Sequence, residues 1–478
     1  MASPWKKLNN PPSFSVDTML LLTDGSIMCH EYETSNWHKL VPDVKGNYVN
    51  GTWHPMTPLP ANAPLPQNGP VDAPLYYASA VLKDGRVFVG GGEYNGGSNV
   101  DLLTAEIYDP VADSWSAVPP PPAWNNIGDA PSCVLPDGKV LLGDINSKRT
   151  AILDPSTKSW SLGGVKDDNS SEESWTLLPN HSILCAEVDN HPKAERYDIS
   201  ANTWVSAGSV PAASDLVLNV PGVSIEIGPA ILMPDDRVFC VGASGHTAVY
   251  HVKTGTWTAG PDFPTDSNGN LLRAFDAPAV LLPNGHVLCV VGAVVTSGPD
   301  AGWAGLPISF FEFDGTNLHF VPAPTNASNT LTYNCRLLVL PTGQVLYSNC
   351  TTDLEVFTSK RTPQDHWRPH ITQVPKTLHH GHSYRLRGRQ LNGLSQANAY
   401  GDDAQMATNY PLVRLKNIAS KKVYFSRTFD HSTMAVATGK KVVHTHFHVQ
   451  HAIPVGHYEL VAIANGIPSR PTKVHVKR

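Results

Sequence analysis

Three carboxylates, Asp129, Glu172 and Asp276, each stand nine residues before the last position of a Pro/Asp/Gly-type turn. The same offset from four sister turns picks out Val16, Tyr76, Ile227 and Asn334, with Asp17, Tyr77, Glu173, Glu226 and Tyr333 beside them. Gly128-Asp129-Ala130-Pro131 and Phe275-Asp276-Ala277-Pro278 repeat one local context, so the acid recurs in register. Like charges gathered at one point are unfavourable unless a cation, retained protons or ligand hydroxyls compensate them. Asp129 and Asp276 are therefore a candidate acid–base pair, with Glu172, Tyr333 and His431 as further candidate catalytic groups. His431 follows Asp430 in the unusually polar stretch 427–434, and an imidazole beside a carboxylate carries protons near neutral pH. The plain structural alternatives are a water-lined channel, strand-end hydrogen bonds for the acids and a domain-interface role for His431.

What would bring these residues together is a repeat. Seven turns end at Gly25, Gly85, Gly138, His181, Asp236, Gly285 and Gly343, separated by 60, 53, 43, 55, 49 and 58 residues. Each follows one apolar run and precedes another, and a fixed motif at this period predicts a kelch-type β-propeller. Trp53, Trp115, Trp160, Trp204 and Trp257 recur in the outer part of the repeats, as wedges between neighbouring blades. The expected fold is all-β: a seven-bladed kelch-like β-propeller over 1–369, then an immunoglobulin-like (E-set) β-sandwich over 370–478. A propeller gathers the starts of its innermost strands around one axis. Loops before first strands and after second strands open on that same face. They contribute Trp124 (119–128), Tyr94 (93–99) and Trp303 (297–307), rings suited to the apolar faces of sugars. Candidate ligand-binding residues are Tyr76, Tyr77, Trp124, Glu226, Trp303, Asn334, Asp403 and Gln405, the last two from segment 402–410.

Net charge is −6 without a basic run, which argues against nucleic acid as a partner, and the apolar runs are strand-length, which argues against a membrane. The first residues lack an apolar leader, so a cytoplasmic location is expected, or a secreted one if a leader has been removed. Seven cysteines without a CxxC pair read as buried thiols. His444-Thr445-His446-Phe447-His448 puts three imidazoles on one strand face and reads as an exposed polar face rather than a metal site.

The whole chain resembles the galactose oxidase and glyoxal oxidase group, the radical copper oxidases. The likeness rests on the repeat, on Tyr333-Asn334 ahead of Leu338-Val339-Leu340-Pro341-Thr342-Gly343, and on Asn465-Gly466-Ile467-Pro468-Ser469 after a Gly-His-Tyr-Glu-Leu strand. The resemblance implies a copper site with a Cys–Tyr cofactor, an axial Tyr and two His. Here the Cys position falls at Tyr76 or Tyr77, the cofactor Tyr at Asp129, and the two His at Asn334 and at or near Gln405. Tyr333 alone matches. Divalent copper favours imidazole nitrogen, so no copper-radical chemistry and no resident cofactor are expected. Oxygen ligands on the axis would suit calcium, magnesium or manganese. The function expected is binding of a small polar, carbohydrate-like ligand, with non-oxidative hydrolysis, elimination or isomerisation if there is turnover. The alternatives are a lectin or kelch interaction module without catalysis, and a metal-dependent oxidase using Asp129, Asn334 and Tyr333.

Overall fold

The computed structural model describes residues 3–60, 72–223, 225–360, 362–400 and 406–478. The chain is all-β. Among the described residues helical structure is limited to five three-residue 3-10 turns, and no helix is long and apolar enough to cross a membrane.

The repeated turns form for a local reason. In the second, Leu82 N–H donates to Arg86 O at 2.8 Å, and the Asp84 carboxylate accepts from Arg86 N–H at 3.0 Å. Gly85 sits between them at φ +88, a left-handed conformation that closes the hairpin. Asp24, Asp137, Asn180 and Asn284 accept the equivalent amide bond in sister turns. His181 and Asp236 take the left-handed place of the glycine at φ +61 and +64.

Among the described residues these hairpins build six four-strand antiparallel sheets and a seventh whose four strands are joined by Leu272–Arg273 and Asn398–Tyr400. Their innermost strands are Val16–Leu21, Ala78–Val81, Ser132–Val134, Trp175–Leu177, Ala230–Leu232, Pro278–Leu281 and Arg336–Val339. Each innermost strand touches the next, and the last touches the first, so the units close into a ring. The closure is also covalently economical: the N-terminal strand Trp5–Lys7 pairs antiparallel with Glu355–Phe357 and completes the outer edge of the last unit. Tryptophans seal the joints. Trp53, Trp115, Trp160 and Trp257 donate their indole N–H to Asn10, Thr57, Pro119 and Ala207 carbonyls of the neighbouring unit or its entry, at 3.0, 2.8, 2.6 and 3.0 Å.

The C-terminal region packs a sheet of His370–Gln373, Ser383–Arg389, Val442–His448 and Thr428–Phe429 against one containing Leu412–Asn417, Gly456–Ala464 and Thr472–Lys477. It docks on the turn face of the ring. Thr428, His431 and Met434 N–H groups donate to Thr23, Lys83 and Pro136 carbonyls, in or beside three of the repeated turns. One strand, Asn398–Tyr400, leaves this region and enters the ring, pairing antiparallel with Pro278–Leu281. Around it, Gln396 Oε1 accepts from Leu177 N–H, Ala397 O from Leu281 N–H and Asn398 Oδ1 from Val339 N–H. Three innermost strands thus bond to one finger, which fixes the finger on the axis.

Candidate functional site

At the ring end opposite the turns, residues just before several innermost strands sit on strained backbone. Tyr76, Glu172 and Asp276 occupy the left-handed region at φ +52, +55 and +41. Bulky and acidic residues seldom adopt it, at a cost on the order of 1–3 kcal/mol each, and such residues concentrate at functional sites.

The strain brings acids together. Glu172, Glu226 and Asp276 each present a carboxylate oxygen within 4.8 Å of the other two. All three are half-buried. Burial, more than any charge, pushes the Asp276 carboxyl up to about 7; Arg336 and a hydrogen bond with Glu226 pull against it. Asp129 is pushed well up by burial first, then by Glu93 and Asp276. Glu93, in the loop after a second strand, is raised to about 6 by burial, while Tyr94 and Asn99 hydrogen bonds oppose the rise. Carboxyls raised in this way suit groups that donate or accept protons near neutral pH.

The floor of the site is cationic and aromatic. Arg336, fully buried, pairs with the equally buried Asp17 at 3.0 Å and donates to Tyr333 O at 2.7 Å and Cys335 O at 3.0 Å. Its guanidinium lies 3.7 Å from the Tyr400 ring centroid and 5.7 Å from that of Tyr76. Tyr400 O–H donates to Tyr333 O at 2.7 Å. Tyr333 meets Trp303 edge-on at 4.8 Å and Tyr76 at 6.4 Å, and Tyr76 meets Tyr94 at 6.1 Å. Asn334 lies beside them, its carbonyl accepting from Cys350 Sγ at 3.4 Å. Cys350 thus departs from the plain strand filler expected of the thiols.

Asp129, Glu172, Glu226, Asp276, Tyr76, Tyr333, Asn334 and Trp303 therefore share one region. Three sequence candidates do not join it. Tyr77 is fully buried against His30 and Trp37 at 5.4 and 6.3 Å, because the left-handed turn at Tyr76 sends the next side chain into the joint between units. Trp124 is 5% exposed and anchors its loop in the core beside Arg149. His431 is fully buried at the docking interface on the turn face, stacked on Tyr410 at 5.9 Å and bonded through Nδ1 to Thr445 Oγ1 at 2.9 Å. Burial depresses it to about 3, so it is neutral and distant from the acids. Asp403 and Gln405 lie outside the described residues. Arg336 and Glu93 escaped the sequence reading. The signal for Arg336 was a lone cation opening the otherwise apolar strand Leu337-Leu338-Val339.

The oxygen-only convergence of Glu172, Glu226 and Asp276 fits a hard cation such as calcium or manganese better than copper.

Residues 74–122 match the Kelch motif family. Kelch-like protein 30 of Homo sapiens is 27% identical over 143 residues, 27% of this chain and 24% of that protein. Kelch-like protein terF of Aspergillus terreus is 24% identical over 313 residues, 58% of this chain and 62% of that one. The chain thus spans less than two thirds of the length of these relatives. Among solved structures, a fungal alcohol oxidase in complex with copper superposes with a TM-score of 0.53 at 14% identity, covering 100% of this chain and 99% of that one. The chain is similar to kelch-like proteins in sequence and to a copper alcohol oxidase in fold. At this identity the likeness concerns the scaffold and leaves the chemistry of the axial residues to be argued from the residues themselves.

Proposed function

We propose that the axial region is a binding pocket for a small, polar, hydroxyl-bearing ligand of carbohydrate type, and that any turnover there is non-oxidative proton-transfer chemistry. The architecture behind this reading is a seven-bladed kelch-like propeller over 1–369 carrying an E-set-type sandwich over 370–478. The observation that carries it is the convergence of Glu172, Glu226 and Asp276 from three different units, two of them on strained backbone, beside the rings of Tyr76, Tyr333 and Trp303. Ionised carboxylates accept from ligand hydroxyls, protonated ones donate to ligand oxygens, and rings cover apolar faces. In this reading Asp129, its carboxyl pushed well up by burial, serves as the acid and Asp276 as the base. Glu172, Glu226 and Asn334 orient the ligand; Asp403 and Gln405, outside the described residues, remain candidate ligand-binding residues of the sequence. The departures from the copper-site pattern at Tyr76, Asp129 and Asn334 support exclusion of radical oxidation.

The test is a saccharide and polyol panel, followed by calorimetry and by turnover assays, on the full chain and on Asp129→Asn and Asp276→Asn. A hit whose affinity falls about ten-fold or more in Asp276→Asn supports the pocket. Binding indifferent to both variants would refute it. Stoichiometric copper with peroxide release from a primary alcohol would refute the non-oxidative assignment. The closeness of the three carboxylate oxygens also favours a second reading, in which a calcium, magnesium or manganese ion bridges protein and ligand; elemental analysis of the purified protein separates the two.

A further inference from the structure

We propose that the outer face of the C-terminal sandwich, built on the arginines of strand Ser383–Arg389 and the histidines of strand Val442–His448, docks a short extended acidic peptide with carboxylates at alternate residues. Register makes this face. Arg385 stands opposite His446, Arg387 opposite His444 and Ser383 opposite His448. Leu386, Val443 and Phe447 alternate with them and fill the sandwich core, which leaves the arginines exposed and the histidines half-buried. Arg427 extends the face on the far side of the histidines. Its guanidinium lies 4.5 Å from the Phe429 ring centroid, and that ring stacks on His446 at 5.7 Å. Arg86, Arg149, Arg237, Arg336, Arg368 and Arg470 each pair with a carboxylate. Among the described residues Arg385, Arg387, Arg389 and Arg427 have no such partner. In a chain of net charge −6, these uncompensated guanidinium groups gather on one sheet face, although like charges across a ladder weaken it. The imidazoles register the field. Burial first, and then Arg385, His446 and Arg387, hold His444 below the ordinary imidazole value; burial and then Arg427 do the same for His448.

The period of the face selects its occupant. Alternate residues of an antiparallel strand stand about 6.8 Å apart, and so do alternate side chains of any extended peptide. Carboxylates on every second residue therefore meet successive arginines, whose planar forks suit them. Arg385 and Arg387 also line a cavity of about 380 Å³ with Gln373, Val374 and Pro375, a recess with an apolar wall for one incoming acidic side chain. The arginine row is short, ending at Ser383 opposite His448, and the chain around it is acidic on balance. A short segment gains from such a patch, whereas a long polyanion runs on into like charge. The face shares no residue with the axial acids, so the two readings stand independently.

Fluorescence anisotropy on the full chain tests it, with a labelled peptide of alternating Glu and Ser as the probe. Three comparators carry the same charge: a peptide of equal composition with its glutamates in one block, an oligouronate and a single-stranded oligonucleotide. The alternating peptide should bind tightest of the four, and added salt should weaken it. Its affinity should fall about ten-fold or more in the double variant Arg385→Gln, Arg387→Gln, and stay unchanged in Lys253→Gln, an exposed cation of the propeller. No binding of the alternating peptide, full affinity in the double variant, or equal or tighter binding of any comparator would overturn the proposal. The ranking of the four anions on the parent chain decides the occupant even if the double variant does not fold.

Discussion

Asp276→Asn should make the protein more stable above neutrality while making it a poorer binder. Folding carries the Asp276 carboxyl from its ordinary 3.8 to about 7, chiefly through burial. A carboxyl raised in the folded state favours folding while protonated, and that advantage disappears as pH climbs through the folded value. The window therefore runs from about pH 4 to pH 8, with the native protein losing stability toward the alkaline side. At about 1.4 kcal/mol per pH unit the ceiling is roughly 4 kcal/mol. Coupling to Asp129 and Glu93, which share the same protons, makes about 1–3 kcal/mol the working expectation. Asparagine removes the ionisation, keeps the shape and tolerates the left-handed backbone at φ +41 as well as any residue except glycine. Urea unfolding at pH 5.5 and pH 8.5 is the assay. Because the unfolded carboxyl is already ionised at pH 5.5, the variant should exceed the parent at the lower pH and by about 1–2 kcal/mol more at the higher one. A stability gain paired with lost ligand affinity is what a strained functional acid produces. A variant less stable than the parent at pH 8.5, or a parent whose stability does not change with pH, would refute the reasoning.

Arg336→Met should destabilise by about 3–5 kcal/mol in urea, because it leaves the fully buried Asp17 charge without its 3.0 Å partner; adding Asp17→Asn should recover much of the loss. His431, depressed to about 3, is neutral in the fold, so it supports stability above about pH 6.5 and withdraws that support as pH falls toward 3. His431→Gln should flatten the acid limb of a thermal-melt pH profile without changing ligand affinity at pH 7. Trp115→Phe, losing the bond to Thr57 O, should lower stability by about 1 kcal/mol in the same urea assay. Tyr400→Phe, losing its 2.7 Å bond to Tyr333 O but keeping the stack on Arg336, should cost about the same and measurably weaken ligand binding.

The repeat was legible because the turns carry their own chemistry: in five of the seven an Asx side chain caps one amide, and in all a left-handed residue closes the hairpin within five residues, so sequence records them directly. The outer tryptophans were legible because they recur once per repeat, and Trp53, Trp115, Trp160 and Trp257 each reach one neighbouring carbonyl. What sequence did not record is direction. Tyr76 and Tyr77 are adjacent, and only the left-handed backbone at Tyr76 decides which faces the axis and which enters the core. His431 lies far along the chain from the turn it meets at Lys83, so its face of the ring depends on the docking of the whole C-terminal region. The acids around the buried Lys166 come from the loop before Trp175 and from Glu187 and Glu195, without any spacing motif.

The finger gives the axial site its polarity. Its last described strand residue, Tyr400, is 1% exposed and stacks on a fully buried Arg336, so the base of the ring is closed from the turn side by side chains locked to three carbonyl and carboxylate oxygens. The acids stand above that base, where the loops open. Arg336 is already paired with Asp17, and its charge lowers the proton affinity of Asp276. That arrangement explains how one region can hold acids near neutrality: burial lifts them, a fixed buried cation limits the rise, and the backbone strain that gathers them is borne by a ring closed at its own N-terminus.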